Sequence, residues 1–142
     1  MRKIYLMLLL VVMAFCLFGV QTANAADPDP LKMGTVLQRT NLANAPGFDA
    51  ILVLREIPPG GASGKHTQAG NEVVYILEGS VTLEVDGKPA QTLKAGEAFT
   101  TSKGQVHNVK NASTTDPAKA LAFYIAKKGA KLEDLSTPVK KQ

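Results

Sequence analysis

The sequence is poor in cysteine and histidine, and each shortage restricts what the protein can be. It contains one cysteine, Cys16, and two histidines, His66 and His107, in 142 residues. Cys16 lies in an N-terminal apolar segment that is predicted to be removed, so the remaining chain has no thiol for a disulfide, even in an oxidising compartment. Its stability must therefore come from core packing, oligomerisation or a metal.

The chain also lacks a strong excess of charge. The formal net charge is +4, and removal of Arg2 and Lys3 with the N-terminal segment leaves 14 basic and 12 acidic side chains, a net charge of +2. This balance argues against a nucleic-acid-binding surface.

The N-terminal segment has the layout of a cleaved secretory signal. Basic residues precede an apolar run from Ile4 to Val20, and the small-residue triplet Ala23-Asn24-Ala25 follows. This order predicts cleavage after Ala25 and a periplasmic or secreted protein that begins at Ala26, with no stable membrane association after cleavage.

Two other interpretations of this segment were weighed. An uncleaved membrane anchor is the alternative, because the 17 residues of the apolar run reach the lower limit for spanning a bilayer. Lipidation at Cys16 is disfavoured, because the bulky Phe15 stands where a lipidation site requires a small residue.

Short apolar segments between turn residues indicate strands in the rest of the chain. Residues 48–57 and 72–78 are rich in β-branched and aromatic residues, and the second of these is predicted to be buried on both faces. The segment 81–87 alternates apolar and polar residues, which predicts burial on one face, and it ends at the hairpin signal Asp86-Gly87.

The C-terminal half continues this pattern. Residues 91–111 are broken by glycine into three short strands, and residues 119–128 are predicted to form a strand rather than a helix. Short strands with Gly and Pro turns and no long helical period favour a sandwich or a small barrel. The 117 residues that remain after residue 25 suit one domain. It is divided into a lead-in over 26–47, a barrel over 48–128 and a basic, solvated tail over 129–142.

Four polar residues are predicted to share one site. His66 and Gln68 are two positions apart, so on an extended strand they point to the same face. Residues 69–71 are turn-prone, and Glu72 is therefore expected to return to the same cavity from a neighbouring segment. His107 lies in an apolar-flanked segment that can run alongside them.

These residues occur in a pattern that resembles the two motifs of the cupin family. Gln68 stands where the first motif has its second histidine, and Ser102 stands where the second has a proline. The matching positions are Gly60, His66, Glu72 and Gly79 in the first motif and Gly96, Gly104, His107 and Asn111 in the second. The resemblance implies a single-domain, all-β, double-stranded β-helix or jelly-roll barrel, which the strands at 48–57 and 119–126 would complete.

The resemblance also implies a metal ion inside the barrel, with His66, Gln68, Glu72 and His107 as ligands. Two imidazoles, a carboxylate and a carboxamide oxygen suit Mn, Fe, Ni, Zn or Cu, and nothing in the set selects one of them. The alternative is that the polar groups surround a water in a barrel that has lost its ion. A buried glutamate without a cation is costly, which favours the metal.

Two functions follow from this pattern. One is a metal-dependent enzyme of the dioxygenase, isomerase or decarboxylase type that acts on a small molecule, with Glu72 as ligand or catalytic base. The other is a non-catalytic envelope module that binds a small ligand in the barrel, with a degenerate or empty metal site. Family resemblance and the strand edges that a small barrel must cover predict a homodimer.

Overall fold

The structure is a computed structural model that describes residues 34–139, which form ten strands in two five-stranded sheets. The predicted signal segment, with Cys16, lies outside the described residues, as does the rest of the chain up to residue 33 and residues 140–142. Within the described span no helix has the length and apolarity needed to cross a bilayer.

Every strand pair within the two sheets is antiparallel. The first sheet contains, in spatial order, β1 (Gly34–Asn41), β2 (Phe48–Ile57), β9 (Ala118–Lys127), β4 (Glu72–Glu78) and β7 (Ala98–Thr101). The second sheet contains β10 (Ser136–Pro138), β3 (His66–Gln68), β8 (His107–Asn111), β5 (Ser80–Val85) and β6 (Gln91–Lys94). A single 3₁₀ turn, Leu132–Leu135, precedes β10 among the residues described.

The predicted all-β fold is confirmed, and several strands have the predicted bounds. β2 and β4 span 48–57 and 72–78, while residues 91–111 form three strands. The hairpin at Asp86-Gly87 joins β5 to β6, and Lys88 N donates to Val85 O at 3.0 Å in its turn. β9 is a ten-residue strand, as the preference for strand over helix predicted.

One prediction about burial is wrong. β4 is not buried on both faces, because its residues alternate between the core and the outside of the molecule. Val74 and Ile76 are buried, whereas Val73 and Tyr75 are each 45% exposed. The β-branched and aromatic composition identified the strand, but the sheet covers only one of its faces.

The two sheets also extend beyond the segment assigned to the barrel. Residues 34–41, within the predicted lead-in, form β1 at the edge of the first sheet. Residues 136–138, within the predicted basic tail, form β10, which pairs with β3 at Gln68 and His66. β10 thus covers the edge of the strand that carries two of the four predicted site residues.

The apolar core lies between the two sheets and sets the site's surroundings. Gly79 carries the chain from β4 in the first sheet to β5 in the second with φ of 74°. A Cβ there would lie 3.1 Å from Pro117 O, so this crossing requires glycine for both its conformation and its contact. The buried apolar residues are Ile51, Val53, Ile57, Val74, Ile76, Val81, Leu83, Leu93, Phe99, Ala118, Ala120, Ala122, Tyr124 and Leu135.

Candidate metal and ligand site

The structure brings the four predicted site residues together between the sheets. His66 and Gln68 lie on β3 and point inward, and His107, at the start of β8, is the register partner of His66. Their imidazole ring centroids are 4.2 Å apart. Glu72, the first residue of β4, approaches from the opposite sheet. All four side chains are buried, with at most 7% of each residue exposed.

Backbone carbonyls orient both imidazoles. His66 Nδ1 lies 2.9 Å from Gly64 O, and His107 Nδ1 lies 2.9 Å from Gln105 O. Because a carbonyl oxygen only accepts hydrogen bonds, each Nδ1 carries the proton and donates it. In the neutral ring this leaves the Nε2 lone pair as an acceptor. Burial lowers the pKa of His66, which favours that neutral form.

The amide of Gln68 links the two halves of the cluster. Its Nε2 lies 3.1 Å from His66 Nε2 and donates to Glu72 Oε2 at 3.1 Å. Its Oε1 is buried and has no hydrogen-bond partner among the described residues. A rotation of the amide by 180° would exchange the two atoms and present an oxygen to the same neighbours.

Glu72 is held as a carboxylate by several neighbours. The Tyr124 hydroxyl donates to Oε1, and Thr101 Oγ1 donates to Oε2 at 3.2 Å. Burial alone would raise the pKa of Glu72, but the adjacent His107 ring and the Tyr124 hydroxyl outweigh it and leave the pKa below its ordinary value.

His107 Nε2 is, with Gln68 Oε1, one of two unpaired polar atoms in the cluster among the described residues. It lies 3.7 Å from Glu72 Oε2, beyond hydrogen-bond distance, and has no hydrogen-bond partner in the described part of the chain. With Nδ1 protonated and the ring neutral, a nitrogen lone pair therefore faces a carboxylate oxygen. Two buried acceptors in this arrangement are stabilised by a proton or a cation between them.

Three residues that complete the site are not identified by the sequence motifs. Tyr124 on β9 and Thr101 on β7 donate to Glu72, and Arg55 Nη2 on β2 donates to the Tyr124 hydroxyl at 2.9 Å. Alternation along the strands provided a signal for them. Arg55 has the same parity as the buried Val53 and Ile57, which places a guanidinium on an inward face.

A cavity of about 60 Å³ opens beside these groups. One side of it carries the polar cluster with Arg55, Ser63 and Ser136, and the remaining walls are apolar. A buried water needs roughly 10–15 Å³ on this scale, so the cavity has space for about four to six water-sized groups. The apolar lining residues are Ile57, Val74, Ile76, Val81, Phe99, Val109 and Ala120.

As the side chains stand, no group of three or more His, Cys, Asp or Glu residues within 34–139 is arranged to hold a metal ion. Gln68 Nε2 lies between His66 and Glu72, 3.1 Å from His66 Nε2 and from Glu72 Oε2. The chemistry of the donors nevertheless fits a divalent ion. Two ligand atoms each about 2.1 Å from one ion and at right angles are about 3 Å apart, close to the 3.1 Å separations in the cluster.

Asn111 and Tyr75 have structural positions outside this cluster. The Asn111 amide donates to the carbonyl oxygens of Ile57, Pro58 and Asp116, at 2.8–3.1 Å, and so ties β8 to two neighbouring segments. Tyr75 points out of the first sheet.

Comparison with known proteins agrees with this fold. Residues 53–124, half of the chain, match the family model described as a cupin domain. A protein with a double-stranded β-helix domain from Klebsiella pneumoniae superposes with a TM-score of 0.57 at 20% identity, covering 76% of this chain and 84% of the other. At that identity, the likeness concerns the fold alone.

Two curated relatives are similar in sequence. A germin-like protein from Arabidopsis thaliana (subfamily 2 member 2) is 31% identical over 100 residues, which are 65% of this chain and 45% of the relative. An oxalate-binding protein from Thermotoga maritima is 36% identical over 62 residues, 43% of this chain and 50% of the relative. The chain spans about half the length of the curated relatives that it matches.

Proposed function

Because the chain belongs to the cupin family, we propose that its barrel binds a divalent transition metal ion through His66, Gln68, Glu72 and His107, and holds a small organic molecule beside the ion. The observation that carries this proposal is the facing pair of acceptors, His107 Nε2 and Glu72 Oε2, 3.7 Å apart and buried. A cation between them would satisfy both.

The orientation of the imidazoles supports the same role. Metal-bound histidines commonly donate their second ring nitrogen to a carbonyl or carboxylate, which fixes the tautomer and aims the ligand nitrogen. His66 and His107 both have this arrangement through Gly64 O and Gln105 O. Gln68 would contribute Oε1 after rotation of its amide, and this change also provides the orphaned oxygen with a partner.

Within this proposal Glu72 is a ligand rather than a proton acceptor. Its two oxygens receive hydrogen bonds from Tyr124 and Thr101, one donor on each oxygen, and rotation of the Gln68 amide leaves both bonds in place. A bound ion of this type supplies Lewis-acid chemistry to an oxygen-bearing ligand. The proposal concerns binding, and a dioxygenase, isomerase or decarboxylase activity would be additional to it.

A second candidate function is a ligand-binding module that works without a metal. The observation that favours it is Gln68 Nε2, whose two hydrogen atoms are already used by His66 and Glu72. The oxalate-binding relative supports a small organic acid as the ligand in either case.

The experiment that separates the two functions is a metal titration of the parent and of Gln68→His by competition with a coloured chelator. An imidazole is a stronger donor than an amide oxygen for Zn, Ni or Fe, so the variant should bind about tenfold more tightly, or ~1.4 kcal/mol. Phe99→Leu, in the apolar wall of the cavity, is the matched control and should leave metal affinity unchanged.

Each outcome of this titration has a definite meaning. Binding by the parent that tightens in the variant supports the metal site. Metal binding by Gln68→His but not by the parent would show that the natural barrel does not bind an ion, which favours the second function. If neither protein binds an ion, the four residues are not a ligand set.

We also propose that the protein is exported, with the mature chain beginning at Ala26. The support is the order of basic residues, apolar run and small-residue triplet in the N-terminal segment. N-terminal sequencing of the protein from its own cell envelope tests this. Another mature N-terminus, or full-length protein in the membrane fraction, would overturn it.

A further inference from the structure

We propose that Arg55 binds a carboxylate group of the small molecule and so selects small organic acids; this inference rests on the proposed function of the same cavity. Arg55 lies on β2 between the buried residues Val53 and Ile57, and it lines the cavity with the four predicted ligands. Arginine is suited to this role because its planar donors match a carboxylate in two-point contact.

One hydrogen bond holds the guanidinium in place and leaves other N–H donors available. Nη2 donates to the Tyr124 hydroxyl at 2.9 Å, and this hydroxyl donates in turn to Glu72 Oε1. Tyr124 thus stands between the cation and the carboxylate, so that Arg55 does not form a direct ion pair with Glu72. Of five guanidinium N–H groups, the contact with Tyr124 uses one, which leaves donors for a ligand.

The neighbouring strand makes room for this side chain. Gly34 on β1 is the register partner of Arg55. A Cβ at Gly34 would lie 3.0 Å from Arg55 Nη1, 3.1 Å from Arg55 Cδ and 2.8 Å from Val53 Cγ1. A side chain at this position would require Val53 or Arg55 to shift, so the glycine leaves room for the guanidinium.

The charges around the cavity favour an anion. The carboxylate of Glu72 and the guanidinium of Arg55 carry opposite charges and line the same cavity. A divalent ion would therefore leave the cavity with an excess of about two positive charges, which a dicarboxylate would neutralise. The volume for about four to six water-sized groups excludes a long chain.

Calorimetric titration with oxalate, a dianion of six non-hydrogen atoms, tests the inference in the full mature protein, with and without added metal. Arg55→Gln removes the charge and should weaken oxalate binding at least tenfold, because a charge-assisted contact is lost. Arg55→Lys keeps the positive charge but lacks the planar donors of the guanidinium. Its oxalate affinity should lie between those of the parent and Arg55→Gln. Gly34→Ala should weaken oxalate binding in the same direction while retaining the arginine.

Two controls separate this role from a structural one. Lys110→Gln removes an exposed cation from the outside of the second sheet and should leave oxalate affinity unchanged. Oxamide, the neutral diamide of similar shape, should bind parent and Arg55→Gln equally weakly. Titration of oxalate without added metal separates loss of the carboxylate contact from any change in metal affinity that follows when Tyr124 and Glu72 lose this neighbour. Thermal melts establish that the Arg55 variants fold.

The failure of this inference is distinguishable from the failure of the metal site. If the parent binds metal and oxalate, and Arg55→Gln binds oxalate equally well, the role of Arg55 is wrong and the metal site stands. If the parent binds no metal but binds oxalate in an Arg55-dependent way, the inference stands and the metal site fails. If the parent binds no oxalate under either condition, the carboxylate assignment is wrong.

Discussion

The two sheets of the barrel differ on both of their faces. On its outer face the first sheet carries large apolar side chains, with Tyr75 45%, Phe123 40% and Ile125 48% exposed. The second sheet presents threonine, lysine and glutamate there, including an ion pair between Lys110 and Glu84 at 2.7 Å. An antiparallel sheet can leave one face to water if that face is polar, and only the second sheet meets this condition.

On the inner faces, the sheets contribute complementary chemistry. The second sheet supplies His66, Gln68 and His107, the nitrogen-bearing side of the cluster. The first supplies Glu72 together with the hydroxyl and guanidinium groups that orient it. The site is therefore an interface between sheets, and its geometry depends on how the core between them packs.

The largest expected effect is the loss of metal binding in His107→Ala. If both sheets bind one ion, removal of an imidazole ligand from the second sheet should weaken metal binding at least about a hundredfold. This loss exceeds the one that follows mutation of a residue that only orients a ligand. Chelator competition measures the affinity. Lys110→Ala, on the outward face of the same strand, should change it less than twofold. Equal binding by parent and His107→Ala would mean that β3 and β8 do not contribute to one ion.

The next effect tests why the first sheet has an apolar outer face. We propose that a second copy of the chain covers this face in a homodimer, since exposed contiguous apolar surface marks interaction sites. Val73 and Phe123 are register partners, and Tyr75 lies opposite Leu121, which places two aromatic side chains on adjacent strands in the middle of the face.

Changing both aromatics to glutamate should weaken the dimer by about thirtyfold or more, since one central aromatic is commonly worth ~2 kcal/mol. Sedimentation velocity over a concentration series measures this. Thr82→Glu, on the outer face of the second sheet, is the control and should leave the dimer intact. A parent that stays monomeric at high concentration would overturn the proposal.

The same comparison explains which parts of the structure were predictable. Composition and turn residues located β2, β4 and β9, because β-branched runs and glycine punctuation are local signals. Residue spacing placed His66 and Gln68 on one face of a strand, and the resemblance to the cupin motifs implied that Glu72 and His107 join them. The exposure of Val73 was not predictable, because an apolar, β-branched strand buried on one face can have the same composition as a strand buried on both faces.

The residues that support the site were missed for a related reason. Tyr124 and Thr101 are ordinary strand residues, and their proximity to Glu72 depends on the register between β4, β9 and β7. β1 and β10 have little apolar patterning, and they become strands because neighbouring strands offer them unpaired edges. Such pairing is a tertiary effect that local sequence does not carry.

A smaller effect distinguishes inner from outer tyrosines on the first sheet. Tyr124→Phe removes the hydroxyl that joins Arg55 to Glu72 and leaves a buried carboxylate oxygen with one donor fewer. It should lower the free energy of unfolding by about 1–2 kcal/mol. Tyr75→Phe, whose side chain points outward, should change it by less than ~0.5 kcal/mol. Urea unfolding measures both, and equal small losses would mean that the hydroxyl network contributes no stability.

The smallest effect concerns pH and compares one acidic residue from each sheet. Asp49, a buried residue of β2, accepts hydrogen bonds from Gly129 N at 3.0 Å and Arg39 Nη1 at 2.9 Å. The Gly129 amide and Arg39 lower the pKa of Asp49, and the charge of Lys128 acts in the same direction. Lys110 and the Asn108 amide lower the pKa of Glu84 on β5, but this pair lies at the surface.

A lowered folded-state pKa stabilises the fold above the unfolded-state value of about 4, and this contribution is lost as the pH falls through the folded-state value. Asp49→Asn should therefore be less stable than the parent at pH 7, and the difference should shrink towards pH 3. Glu84→Gln should show a smaller difference that 1 M salt removes, because exposed pairs are screened. Urea unfolding from pH 3 to pH 7 gives both curves. If the free energy of unfolding of Asp49→Asn differs from that of the parent by the same amount from pH 3 to pH 7, the buried carboxylate acts through its shape and hydrogen bonds rather than its charge.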